Sequence, residues 1–177
     1  ENGGDTWRKL GLKAAGHVKM SFDCRVTRMT ADPSNPRELY AGLEVDGVMR
    51  SRDGGETWED VSQPLIKLAD RPHLKSRIVS DTEIEGMMDS HALCVSGAQA
   101  GTVFLAVRMG LFRSEDRGKS WRDMPAAELI NHDNSVAALR LTDGGYVLVH
   151  NDALAPPATP RQWLRLSTSA DATRWTA

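Results

Sequence analysis

One eight-residue pattern occurs twice in the chain, and few folds can use it twice. Ser51-Arg52-Asp53-Gly54-Gly55-Glu56-Thr57-Trp58 and Ser114-Glu115-Asp116-Arg117-Gly118-Lys119-Ser120-Trp121 share the form Ser-x-Asp-x-Gly-x-Thr/Ser-Trp. Each residue type suits a tight connection between two strands. An Asp carboxylate accepts hydrogen bonds from backbone N–H groups close ahead of it, as in Asx-turns. The Gly, Gly55 or Gly118, supplies the positive φ that such a turn demands. Trp58 and Trp121 open the returning strand with a large apolar anchor. Both copies follow the same kind of apolar strand, Gly47-Val48-Met49-Arg50 and Gly110-Leu111-Phe112-Arg113, so the pattern marks a repeat.

Two weaker copies flank this pair. Glu1-Asn2-Gly3-Gly4-Asp5-Thr6-Trp7 reads as the tail of a box, with Asn2 at the Asp position and Trp7 at the Trp position. Ser167-Thr168-Ser169-Ala170-Asp171-Ala172-Thr173-Arg174-Trp175 reads as a degraded one, a residue longer and without the Gly. Trp7, Trp58, Trp121 and Trp175 thus recur at intervals of roughly fifty to sixty residues, the length of a four-stranded sheet with its loops. Strand-like segments fill each interval: 25–30, 38–42, 48–51 and 57–61, then 91–96, 102–108, 111–114 and 120–123, then 135–141, 146–151 and 162–167. No stretch has helical periodicity, although 126–130 can form one turn. The expected organisation is all-β, with about three four-stranded antiparallel sheets. It comprises an outer strand in residues 1–15, a sheet over 16–62, a long loop at 63–90, a second sheet over 91–124 and a last one over 125–177.

The pattern resembles the Asp-box of the bacterial neuraminidase repeat, found in sialidases and many other β-propellers. The resemblance implies a β-propeller segment whose boxes cap the hairpin between the third and fourth strands of each blade. It gives Asn2, Trp7, Ser51, Asp53, Gly55, Trp58, Ser114, Asp116, Gly118 and Trp121 a structural role, on the face usually turned away from an active site. Residues 30–123 look like photosystem assembly-factor-like and glycosyl-hydrolase-like repeat proteins, through Pro36-Arg37-Glu38-Leu39-Tyr40-Ala41-Gly42 and Thr102-Val103-Phe104-Leu105-Ala106-Val107-Arg108. Residues 129–177 look more like the last blades of exo-sialidase-type propellers, through Asn131-His132-Asp133-Asn134-Ser135 and Leu148-Val149-His150-Asn151. Divergence within one family accounts for the join near 125–127, and a recombined chain is the alternative.

Composition narrows the partners. The 177 residues are 40% hydrophobic and 26% charged, with a formal net charge of −2. That suits one globular unit and offers no basic field for nucleic acid or an anionic membrane. No apolar run approaches the roughly 18 residues of a membrane span. The chain opens inside a box-like motif, so the natural N-terminus is expected upstream, and no compartment can be read. Cys24 and Cys94 give neither a disulfide framework nor metal-ligand spacing, and both are expected as buried thiols. No cofactor and no metal are expected.

The long connection from 63 to 90 is the expected functional surface. Loops beyond about 15 residues are usually functional or disordered. In a propeller this one would run from the outer strand of one blade to the inner strand of the next, over the ligand-binding face. Its acidic end holds Glu83, Glu85 and Asp89, and His91 follows. Asp89 and His91 are two apart and share a strand face. With Glu85 they can form an acid–base pair, hold a metal or simply be a solvated loop. Glu85, Asp89 and His91 are the catalytic candidates. Ordinary glycosidase chemistry would use a carboxylate pair whose separation sets the mechanism. Arg71, His73 and Arg77, with Lys75, can steer an anionic glycan or form a solvated face. Asn134 and Ser135 are further binding candidates, which the sialidase-like resemblance points into a central funnel.

Sialidase-type catalysis needs an arginine cluster, a Tyr nucleophile paired with a Glu, and an acid/base Asp. Only Tyr40 and Tyr146 are present, and no Arg-Ile-Pro motif accompanies them. The reading is a sialidase-like propeller module that binds a glycan or protein and lacks a complete catalytic set. One alternative is a glycoside hydrolase completed by further blades or a second chain. Another is an assembly factor or scaffold. A homodimer whose copies lend N-terminal strands to one another would close a six-bladed ring.

Overall fold

Residues 38–43 are apolar on both sides of an extended strand, and the structure buries both sides. In the computed structural model they belong to β2 (Asn35–Leu43), with Tyr40 on one face of its sheet and Ala41 and Leu43 on the other, all buried. The structure describes residues 3–9, 11, 13, 15–74, 83–125, 136–151 and 164–176. The chain divides into two compact units, Glu1–Ala126 and Ala127–Ala177.

The first unit holds two antiparallel sheets, each with its strands side by side in chain order. One is β1 (Val26–Asp32), β2, β3 (Gly47–Ser51) and β4 (Glu59–Asp60). The other is β5 (Ser90–Val95), β6 (Val103–Val107), β7 (Gly110–Ser114) and β8 (Arg122–Asp123). In the second unit, β9 (Ala137–Arg140), β10 (Tyr146–Asn151) and β11 (Leu164–Ser169) form a three-stranded antiparallel sheet. A bridge between Thr168 and Thr176 begins a fourth position beside β11. The fold is all-β and built from sheets of the propeller-blade kind.

The two sheets of the first unit share one core. Tyr40 and Val48 of the first meet Val103, Leu105, Phe112 and Trp121 of the second. Two close approaches fix this docking. Thr27 donates its hydroxyl to the Ser90 carbonyl at 2.9 Å, joining β1 to β5. A Cβ on Gly42 would collide with the Ser90 hydroxyl, so this strand position tolerates only glycine. At the other end the Trp121 indole donates across the interface to the Val61 carbonyl at 3.0 Å.

The connection between these sheets is not the plain loop expected from its sequence. Its described parts contain α1 (Gln63–Ile66), a 3-10 turn at Pro72–Leu74 and α2 (Glu83–Met88). Elements of three to six residues are too short to display a helical period. They line the core through Leu65, Leu68, Leu74, Met87 and Met88. Residues 126–130, the one helical turn expected from sequence, lie outside the described residues.

Three further expectations change. Thr6–Lys9 do not form the outer strand: their backbone is irregular, Trp7 is 91% exposed and Arg8 pairs with Glu56. An outer strand needs a third strand to pair with, and among the described residues none pairs with this segment. Cys94 is exposed rather than buried, because it pairs with Phe104 on the face of the second sheet opposite the shared core. Cys24 is half-buried, with its thiol donating to the Glu44 carbonyl at 2.6 Å.

Candidate functional site

The boxes are the best-defined constructions in the chain. In the first, the Ser51 hydroxyl accepts from the Gly55 amide at 2.8 Å and donates to Asp53 at 2.8 Å. Asp53 in turn accepts from the Thr57 amide at 2.9 Å and from the Thr57 hydroxyl at 2.6 Å. The second box repeats every link through Ser114, Gly118, Asp116 and Ser120. Two consecutive residues take positive φ in each, Gly54 and Gly55 at 81° and 98°, Arg117 and Gly118 at 64° and 86°. Asp53 is held well below the usual carboxylate range, first by the Thr57 hydroxyl and then by the Thr57 amide. Burial pushes Asp116 up, but hydrogen bonds from Ser120 and Ser114 outweigh it and leave it lowered. Every carboxylate contact is therefore spent inside the turn.

The third box is real and its register differs from the one expected. Ser169, not Ser167, is its serine: its hydroxyl accepts from the Ala172 amide at 2.9 Å and contacts Asp171 at 3.2 Å. Asp171 accepts from the Thr173 and Arg174 amides at 2.8 and 2.9 Å, which hold its carboxyl low. The box is thus one residue shorter than the others. Only Ala172 takes positive φ, at 60°, where the intact boxes use two residues. Loss of one left-handed residue explains how the box survives without its glycine. Asn2 lies outside the described residues, and the Trp7 ring is in solvent.

The acidic end of the long connection forms a compact cluster that the sequence reading half anticipated. The amide of Asp89 closes α2 by donating to the Glu85 carbonyl at 3.0 Å, and β5 starts at the next residue. That junction brings Glu85, Asp89 and His91 together at the end of β5, the strand that packs beside β1. Arg108, a residue the sequence reading passed over, joins them. It donates to Asp89 at 2.7 Å and to Glu85 at 3.4 Å, while His91 Nε2 lies 3.4 Å from Asp89. The two carboxylates are largely covered, whereas the His91 side chain is 61% exposed. Among the described residues, no group of His, Cys, Asp and Glu could hold a metal ion.

The basic half of the connection goes elsewhere. Arg71 and His73 both bind Asp123 on β8, at 2.6 and 2.8 Å. The His73 contact is the first cause that holds Asp123 below its ordinary range. These two cations therefore stand at the last strand of the second sheet, away from His91 at the first. Arg77, Asn134 and Ser135 lie outside the described residues.

Neither tyrosine is placed to act as a nucleophile. Tyr40 is fully buried and donates to Glu38 at 2.5 Å. Burial first, and then Glu38, push its hydroxyl above the ordinary phenol range, the opposite of activation. Glu38 is also held by Arg50 at 3.0 Å and by Arg117 at 3.4 Å, so arginines do surround a carboxylate, but it is the protein's own. The signal was legible: Glu38 and Tyr40 alternate on one face of β2, with Arg50 directly across from Tyr40. Tyr146 lines an open cavity of about 500 Å³ in the second unit with Asp143, Asp171 and Arg174, and no glutamate borders it.

Sheets of three or four antiparallel strands, each closing on a Ser-x-Asp turn, define the Asp-box repeat class. The sequence model of the BNR repeat-like domain matches residues 106–177, a stretch that takes in the second and third boxes. The chain thus carries bacterial neuraminidase repeats. No curated protein matches it in sequence. Similar solved structures include YCF48 from Cyanidioschyzon merolae, at 16% identity and a TM-score of 0.46 over 90% of this chain and 38% of that one. Another is YCF48 bound to D1 peptide, at 19% identity and a TM-score of 0.48, covering 98% and 45%. A third is the GH74 xyloglucanase from Xanthomonas campestris, at 21% identity and a TM-score of 0.46, covering 84% and 21%. The chain spans less than half the length of each.

Proposed function

We propose that this chain is a binding module built of Asp-box blades, with sialidase-like ancestry and without a complete catalytic set. Its ligand is a glycan or protein segment that meets the exposed His91 imidazole at the start of β5. The observation that carries this reading is the single guanidinium of Arg108 shared by Glu85 and Asp89. Glycoside hydrolysis places a substrate between two carboxyl groups, one to protonate the leaving group and one to attack or activate water. Here an arginine fills the space between the two, and the remaining open feature is a hydrogen-bonding imidazole. Arg71 and His73 extend no positive field towards it, because Asp123 pairs with both.

Defined glycan and tiled-peptide arrays probed with the labelled chain test this reading. Saturable binding that weakens about tenfold in His91→Ala, the loss of one good hydrogen bond, is the expected result. Binding indifferent to His91, or none on either array, contradicts it.

A further inference from the structure

The third sheet presents a whole face of apolar side chains to solvent. The pairings of β10 place Leu139, Val147 and Thr168 on this face in one row and Ala137, Val149 and Leu166 in the next, with Leu164 opposite Asn151 beyond them. Leu139 is 65%, Leu164 76% and Leu166 56% exposed. No charged residue interrupts it, since Arg140 and Arg165 fall on the opposite face.

The repeat itself says what such a face is for. Counted from the box serine, Ser51 stands opposite Leu39 and Ser169 opposite Tyr146, so Val147 and Val149 occupy the places of Tyr40 and Gly42. In the first sheet that face is buried beneath another sheet, with Tyr40 and Val48 fully enclosed. The third sheet carries the same face without its cover.

We infer that a second copy of this chain supplies the cover, the apolar faces of two third sheets packing on one another about a two-fold axis. Elimination points to this face of the copy. Both faces of the first sheet are already buried, one by Tyr40 and Val48 in the shared core, the other by Ala41, Leu43 and Met49. The second sheet's inner face is used in that core. Its outer face carries Arg113, whose guanidinium lies over the Phe104 ring, and covering it would take a charge out of water. Among the described residues, the third sheet's own face is both apolar and open. An identical face needs nothing displaced to receive it, and a two-fold contact between identical patches is the commonest closed arrangement. Two twisted sheets then pack about 10 Å apart, as in a sandwich. This inference is independent of the binding role proposed for His91.

Light scattering after size exclusion, at tens of micromolar, tests it. The chain is expected at twice its 19.4 kDa mass. Leu139→Asp combined with Leu166→Asp is expected to give the single-chain mass with unchanged circular dichroism, the dimer weakened at least about a hundredfold. Met29→Asp, at an exposed site on β1, leaves the dimer intact. A photo-crosslinker at position 139 is expected to attach to residues 137–149 or 164–169 of a differently labelled copy. A single-chain mass for the unaltered protein overturns the inference. So does a dimer that survives the double change, or crosslinks that run to the first sheet.

Discussion

At the scale of single residues, the two intact boxes have the same turn but different neighbours. Trp121 is buried and its indole reaches across to Val61, whereas Trp58 is half-buried and donates to Gly55 of its own turn at 2.9 Å. Trp121→Ala is therefore expected to lower unfolding free energy by about 3–5 kcal/mol, and Trp58→Ala by distinctly less. Urea titration of both variants checks the order. The box carboxylates also set the acid response. Asp53, Asp116 and Asp171 all titrate below their ordinary range in the folded chain. Their stabilising contribution is complete above the unfolded value near about 4 and disappears as pH falls through the lower folded values. Stability is expected to fall as pH drops below about 4, and Asp116→Asn to flatten part of that decline. A variant with an unchanged acid slope contradicts this. Cys24 gives a separate marker. Burial, then Asp46 and Glu44, push its thiol up to about 11. In a Cys94→Ser background, alkylation is expected to rise steeply only as pH nears that value.

At the scale of elements, the contact between the first two sheets is partly ionic. Glu38 gathers Tyr40, Arg50 and Arg117 inside the interface, and both the Glu38 and Arg50 side chains are buried. Removing one partner leaves the other charged group buried without its match. Glu38→Gln is expected to cost about 3–5 kcal/mol, while Tyr40→Phe, which removes one hydroxyl, costs about 1 kcal/mol. Equal losses in the two variants would mean that the ion pair contributes little. The strands of these sheets were legible in the sequence because their period of two is written in alternating residues. The short helices were not, since four to six residues cannot show a period of 3.6. The third box was visible but misaligned: Ser167 and Ser169 both precede Asp171, and only the amide contacts reveal which serine closes the turn.

At the scale of the whole molecule, repetition is what the sequence exposed most clearly, because a box demands the same residues wherever it occurs. The site was less legible. Proximity of Glu85, Asp89 and His91 followed from their spacing, but the role of Arg108 depends on where α2 places its last turn against the end of β6. The division of the long connection between the two edges of a sheet likewise has no local signature, since Asp123 lies some fifty residues from the cations it binds. The central claim is that Asp-box sheets here serve binding, with their carboxylates and tyrosines committed to the fold. Turnover of a fluorogenic sialoside and a small aryl-glycoside panel tests it most directly, with the unaltered chain beside Glu85→Gln and Asp89→Asn. No hydrolysis above the protein-free rate is predicted for any of the three. Hydrolysis by the unaltered chain that either substitution abolishes, with the fold intact, would contradict the account.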